Sequence, residues 1–391
     1  MNKEHEKLLT DLVKIKSLSG EEADIKGYIG DWFEERGIES FEQGDNLIVN
    51  FEGEDRSKAF IFNSHMDTVG AGGEWTRDPW KPIKEGKKLI GLGSSDMKSG
   101  MTASMLLAEK YSGNAKPPVD MWFTYVVKEE VDGSGTESFA RWYQDSGNLS
   151  RYKDTAAIFT EPNSLREVEH GHRGNYFLLV EAKGVSGHAS RPDQLKGELA
   201  VRKMFKFSDL FQEAVTYWQK EFPDKYFNPS ITLGEMTSLI ANAKGKKVLD
   251  ENGNEILIAV PGSPNKFPES CIATFDLRTT PDTHEQLYER VMKIAEASDV
   301  KVSQLYPPSG TGFTDPKEKI VRIASTINGE RKLTVSQASE DMGSLTAKGI
   351  KSIILGPGEK DQCHMSDEYC YPAQIPQAVD LYKAIVDAWA K

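Results

Sequence analysis

Cysteine is scarce: Cys271, Cys363 and Cys370 are the only three in 391 residues. Three thiols cannot all pair with one another, and their spacing fits no zinc-finger pattern, so reduced thiols are expected. Long apolar runs are missing as well. None approaches the roughly 18–20 residues of a transmembrane helix. The start, Met1-Asn2-Lys3-Glu4-His5-Glu6-Lys7, is polar and mixed in charge, unlike a signal peptide. A cytoplasmic protein without a membrane partner is the expectation. Positive charge is in deficit, with 48 Lys and Arg against 60 Asp and Glu and a net charge of −12. That balance argues against nucleic acid and anionic membranes as partners. No Gly-x-Ser-x-Gly elbow is present, which argues against a serine hydrolase of that type.

What is there is the composition of a soluble globular protein, 38% hydrophobic and 28% charged, in a chain long enough for two domains. Leu8, Leu9, Leu12 and Val13 recur at helical spacing within 4–16. Ser19-Gly20-Glu21-Glu22 has the form of a capping box before a helix carrying Ile25, Ile29, Trp32 and Phe33. Leu47–Phe51, Ala59–Asn63, Val119–Val127 and Ala156–Thr160 read as strands, and Ser99–Tyr111 as a helix rich in small residues. Strands alternating with helices predict an α/β layered domain. The pattern changes near residue 175. Strands at Tyr176–Ala182, 230–236 and Cys271–Arg278, helices at 197–219 and 283–297 and a last strand at 300–305 predict a small α+β sandwich. The segment 241–268 reads as loop or hairpin. After Pro307-Pro308 the α/β pattern resumes, with helices at Ile320–Ile327 and 374–390 and a strand at Ser352–Leu355. The predicted organisation is therefore a domain of residues 1–174 and 309–391, interrupted by a smaller one at 175–308.

Seven positions carry metal-site chemistry. His65 and Asp67 follow the first long apolar strand. Asp96 sits in the loop Gly93-Ser94-Ser95-Asp96, Glu129-Glu130 ends the next strand, Glu161 ends a third, and His364 lies in a polar loop. In open α/β sheets, sites form at the carboxyl ends of strands, where His65, Glu129-Glu130 and Glu161 all stand. Zinc takes nitrogen and carboxylate oxygen, and two zinc ions require a bridging carboxylate. Asp96 is the natural bridge, or else an N-cap for the helix that follows. Of two adjacent glutamates one can hold a metal while the other acts as general base; a solvated acidic turn is the plainer alternative. Asp67 is a ligand, a surface residue, or the carboxylate that orients His65. Singly, an exposed loop histidine explains His65 or His364, and a turn residue explains Glu161. Their joint occurrence points to a metal-assisted hydrolase with two metal ions.

Further stretches complete a resemblance over nearly the whole chain: Trp75-Thr76-Arg77-Asp78-Pro79-Trp80, Gly91 through Gly100, Gly187-His188-Ala189-Ser190-Arg191-Pro192, Asn265-Lys266-Phe267-Pro268, Asp276-Leu277-Arg278 and Gly356-Pro357-Gly358. The sequence resembles the di-zinc aminoacylase/carboxypeptidase family, which includes acetylornithine deacetylase, succinyl-diaminopimelate desuccinylase and glutamate carboxypeptidase. The resemblance implies a zinc-peptidase-like catalytic domain whose mixed sheet is flanked by helices, and an inserted α+β lid and dimerisation domain. It implies two Zn²⁺ per subunit, with Co²⁺ as an alternative. One ion would be held by His65, Asp96 and Glu161, the other by Asp96, Glu130 and His364. Glu129 would be the general base and Asp67 the orienting carboxylate. His188 would reach across a homodimer, built through 175–308, to polarise the scissile carbonyl. Asn265, Arg278 and the loop at Gly356 would bind the substrate. Read without the family, His188 is a hairpin residue and Arg278 a strand residue paired with Asp276.

The sequence departs from the family at Gly70, where many relatives have proline. It departs again at Ser339-Glu340-Asp341, which bears on the substrate and not on the metals, and Cys363 puts a thiol beside His364. The reading is a metal-dependent hydrolase of the amide of an N-acyl-L-amino acid, of the acetylornithine deacetylase or desuccinylase type. A carboxypeptidase or dipeptidase of short peptides is the alternative within the family. A non-catalytic binding protein on the same fold is the alternative outside it.

Overall fold

The computed structural model describes residues 3–113, 116–222, 226–227, 234–241, 243–249 and 255–391, with backbone only for 243–249 and 255–261. The chain divides into two compact units, Met1–Arg173 with Ser309–Lys391, and Gly174–Pro308.

The first unit is built on a mixed sheet. Its strands run in the order Ser40–Gln43, Asn46–Phe51, Val119–Val126, Asp55–His65, Asp154–Phe159, Lys351–Ile354, Glu167–His172 and Gly312–Phe313, with Lys332–Ser336 also paired to Glu167–His172. The four strands from Val119–Val126 to Lys351–Ile354 are parallel neighbours. Parallel strands are covered on both faces, which is why Ala59-Phe60-Ile61-Phe62 is apolar without alternation. Phe60 and Phe62 turn to one face and join the helices Lys3–Lys14, Ala23–Glu34, Ser99–Tyr111, Lys319–Thr326 and Gln374–Ala390. Ala59 and Ile61 turn to the other, against Phe139, Ala140 and Tyr143 of the helix Ser134–Asp145.

Most expected elements stand within a few residues of where the patterns put them, Ser99–Tyr111 to the residue. The helix Ser134–Asp145 and the strands Glu167–His172 and Lys332–Ser336 were not expected. The capping box is a correction. The helix Ala23–Glu34 has no side-chain cap. Ser19 Oγ instead donates to Asp67 Oδ2 at 2.7 Å.

In the second unit Gly234–Ala241, Ser270–Thr279, Gly174–Lys183 and Lys301–Gln304 form an antiparallel sheet in that order. Met204, Phe207 and Phe211 of the helix Ala200–Glu221, with Leu287 and Val291 of the helix His284–Ser298, bury Leu178, Val180 and Phe275. Residues 230–233 of the strand expected at 230–236 lie outside the described residues, as do 242 and 250–254 of the segment 241–268. Within that segment Ala243–Leu249 pairs with Glu255–Pro261 as a hairpin.

Candidate metal centre

The parallel strands deliver their carboxyl ends to one edge of the sheet: His65 closes one strand, Glu129-Glu130 follow Val126, Glu161 follows Phe159, and Gly356 follows Ile354. The edge is compressed by two glycines. A Cβ on Gly356 would meet Thr160 O at 2.2 Å and Glu161 O at 2.5 Å, and one on Gly100 would meet Thr160 O at 1.9 Å. Gly356 thus has a packing task, whatever it does toward a substrate.

Asp96 stands between two imidazoles. Its Oδ1 is 3.2 Å from His65 Nε2 and its Oδ2 is 3.6 Å from His364 Nε2. Glu161 Oε1 lies 3.6 Å from His65 Nε2, and Glu130 Oε2 lies 2.8 Å from His364 Nε2. Asp96 does not cap the helix Ser99–Tyr111. Its loop is held by Glu368, a buried carboxylate that accepts the N–H groups of Gly93 at 2.8 Å, Ser95 at 2.7 Å and Asp96 at 3.0 Å. Lys98, fully buried, donates to the carbonyls of Leu12 and Ile15 and so ties the loop to the end of the first helix. Burial lowers its pKa to about 7.

Asp67 holds the other side. Its Oδ1 accepts the N–H of Glu129 at 3.1 Å, and its Oδ2 accepts the N–H of Glu130 at 3.2 Å. His65 Nδ1 meets the carbonyl of Asp67 at 2.9 Å and its carboxylate only at 3.5 Å. Asp67 therefore orients His65 chiefly through its backbone, and its carboxylate fixes the turn of the two glutamates. Lys128 has a left-handed backbone, φ 59°, and its carbonyl accepts from Asp132 and Gly133, which turns the chain there.

The electrostatics are those of crowded carboxylates. One oxygen each of Glu129, Glu161 and Glu340 lie within 4.8 Å of one another, as do ligand atoms of His65, Asp96 and Glu130. Burial, opposed by His65, pushes Glu161 up to about 8. Burial and Asp341 hold Glu129 well above the usual range, and burial and Asp96 raise Glu130. Burial alone would lower His65, but Glu161, Asp67 and Asp96 outweigh it and hold the imidazole well above its usual value. The hydrogen bond to Glu130 lifts His364 to about 9. Burial and Asp96 push the Cys363 thiol up, away from a reactive thiolate. Divalent cations among these groups would relieve the repulsion and reverse the shifts. The donor set, imidazole nitrogen and carboxylate oxygen, fits zinc.

The remaining candidates lie in the second unit. His188, on the short strand Gly187–His188 paired with Lys266–Phe267, is exposed and accepts from Ser190 Oγ at 2.8 Å. Ala189 N–H donates to the carbonyl of Asn265 at 2.7 Å, so Asn265 is its neighbour. Arg278 directs Nε and one Nη to Asp276 Oδ2 at 2.9 and 2.8 Å.

The chain matches peptidase family M20/M25/M40 over residues 61–388. It belongs to that family. It is 26% identical over 339 residues to acetylornithine deacetylase of Yersinia pestis, which covers 84% of this chain and 78% of that protein. It is 24% identical over 412 residues to a probable succinyl-diaminopimelate desuccinylase of Staphylococcus aureus, covering 98% of each. Its fold is that of an M20 family metallo-carboxypeptidase of Sulfolobus solfataricus, with a TM-score of 0.75 at 15% identity and 100% of both chains covered. As an M20/M25/M40 protein the chain is a hydrolytic enzyme. Among the described residues, no helix of this family member is long and apolar enough to cross a membrane.

Proposed function

We propose that the protein is a two-metal amide hydrolase acting on small N-acyl-L-amino acids, the acyl group being acetyl, succinyl or aminoacyl. The observation that carries this reading is Asp96, whose two oxygens face two different imidazoles. His65, Glu161 and Asp96 would hold one Zn²⁺, and His364, Glu130 and Asp96 the other; Co²⁺ suits the same nitrogen and oxygen donors. When bound, such a pair polarises the amide carbonyl and acidifies the attacking water. Glu129 stands outside both ligand sets. It accepts the proton of the attacking water and delivers it to the amide nitrogen as the C–N bond breaks, leaving a carboxylic acid and an amine.

In the same reading His188, Asn265 and Arg278 bind the carbonyl and carboxylate region of the substrate, with Gly356 shaping its loop. His188 acts on the site of a second copy in a homodimer formed through 174–308. The exposure of Leu239 and Ile240 on the edge strand Gly234–Ala241 favours such pairing. The test is metal analysis before and after chelation, with turnover of N-acetyl, N-succinyl and dipeptide substrates. Two ions per chain, activity lost with them and restored by zinc or cobalt, is the expected result. Turnover that survives complete metal removal would refute it.

A further inference from the structure

The cavity that holds the metal-site residues, about 280 Å³, has a further wall made by Ala338, Ser339, Glu340 and Lys360. This wall decides what charge the substrate can bring, given the hydrolase reading above, on which the inference rests. Among the described residues Lys360 is the one lysine or arginine in the lining. Its Nζ lies 2.7 and 2.6 Å from the two oxygens of buried Glu169 and 3.3 Å from Ser336 Oγ. An ammonium has three N–H donors and no acceptor, so these contacts use all of them. In this arrangement the N–H groups of Lys360 are directed to Glu169 and Ser336.

The other polar side chains on this wall are the carboxylate of Glu340, an acceptor, and the hydroxyl of Ser339, which can accept or donate. Glu340 takes one hydrogen bond on Oε1, from Ser336 Oγ at 2.8 Å. Ser339 Oγ is buried without a hydrogen-bond partner among the described residues. Glu340 also has an oxygen within 4.8 Å of oxygens of Glu129 and Glu161. That distance is diagnostic, because Glu129 must lie beside the carbonyl under attack. In a peptide with a free amino terminus the α-nitrogen is two bonds, roughly 2.5 Å, from that carbonyl carbon. A carboxylate that receives its N–H at roughly 2.8 Å must then stand within about 5 Å of the reacting centre. Glu340 does. An amine on the side chain of the leaving amino acid would be several bonds farther away, on the other side of the scissile bond.

We propose that Glu340 and Ser339 form a subsite for the α-ammonium of the substrate, and that the substrate is a short peptide with a free amino terminus. An acetyl methyl placed there would leave Glu340 and Ser339 unpaired in a closed site, which costs binding. A succinyl carboxylate would face Glu340 with like charge and find the donors of Lys360 directed to Glu169 and Ser336.

The experiment compares L-alanyl-L-alanine with N-acetyl-L-alanine, N-succinyl-L-alanine and N-acetyl-L-alanyl-L-alanine on the metal-loaded protein. It adds calorimetric binding of the free and acetylated dipeptides to metal-loaded Glu129→Gln. The free dipeptide is expected to have the highest kcat/KM and to bind roughly 10- to 100-fold more tightly than its acetylated form. Glu340→Gln should erase most of that discrimination, chiefly through KM, and Ser339→Ala should reduce it if Glu340→Gln fails to fold. Equal or better hydrolysis of the acetyl or succinyl compounds would overturn the subsite while leaving the hydrolase intact. Three metal ions per chain would overturn it too, by giving Glu340 to a metal. No metal and no hydrolysis of any of the four would remove the hydrolase reading and the subsite with it.

Discussion

Asp67→Asn isolates a carboxylate that stands outside both proposed ligand sets. The carboxylate is fully buried and accepts from Ser19 Oγ, Glu129 N–H and Glu130 N–H, the last two on different oxygens. Asparagine keeps the shape and replaces one acceptor by an NH₂ donor. If the amide nitrogen takes the Oδ2 position, Ser19 can rotate and accept from it, but the N–H of Glu130 then faces another donor. The reverse orientation orphans the N–H of Glu129 instead. One buried backbone donor unpaired costs about 1–3 kcal/mol, and loss of charge on the remaining bond adds a fraction of that. A loss of roughly 2–4 kcal/mol is therefore expected from denaturant unfolding. Ser19→Ala, which removes a single hydroxyl bond, should cost about 1 kcal/mol. Because the orphaned N–H belongs to the turn that carries both glutamates, kcat should fall roughly 10- to 100-fold at saturating metal. Asp67→Asn with the stability and kcat of the parent would refute this account of the carboxylate and leave only its carbonyl, which asparagine retains, as the support of His65.

Two further outcomes follow from the same geometry. Glu129→Gln should keep two metal ions per chain and lose turnover by roughly 10²- to 10⁴-fold, and equal activity would refute the base assignment. His172 provides a pH test away from the metal ligands. Its Nδ1–H donates to the Arg173 carbonyl at 2.9 Å, and its Nε2 accepts the Gly343 N–H at 2.9 Å, so a proton on Nε2 would displace that bond. Burial lowers its pKa from 6.5 to about 4. The unfolded chain then binds the extra proton between these values. The contribution is complete above pH 6.5 and is lost as the pH falls toward 4, about 3 kcal/mol in all. The denaturation midpoint of His172→Gln should depend less steeply on pH than that of the parent in this window, and parallel curves would exclude the assignment.

Much of the scaffold was legible because its signals are local. The apolar run before His65, the β-rich run before Glu129 and the short strand before Glu161 declare strands, and strands of one parallel sheet present their carboxyl ends together. What escaped is set by partners far along the chain. The strand Glu167–His172 reads as a polar loop, Glu-Val-Glu-His-Gly-His, yet Glu169, His170 and His172 are buried. Lys360 pairs with Glu169, the Thr314 carbonyl with His170, and Gly343 N–H with His172. The helix Ser134–Asp145 was hidden behind Asp132-Gly133, which signals a turn, although Phe139, Ala140 and Tyr143 are spaced to cover a sheet face. Ser19-Gly20-Glu21-Glu22 looked like a cap because the motif is local, and it failed because Asp67 makes a stronger claim on the same hydroxyl.

These unread features are one arrangement. A polar strand can be buried in a sheet only where each polar group finds a partner, and here Glu169 and His172 find theirs in or next to the segments that wall the cavity. Glu169 accepts from Lys360 and draws its N–H groups to itself. His172, held neutral, takes the Gly343 N–H just past Glu340 and fixes the segment that carries it. The residues with the least to say in the sequence therefore hold the charged groups of the cavity wall in place. In the proposed hydrolase the metal-site carboxylates would set the reaction, and the strand Glu167–His172, by holding Lys360 and the segment after Glu340, would act on which acyl group reaches it.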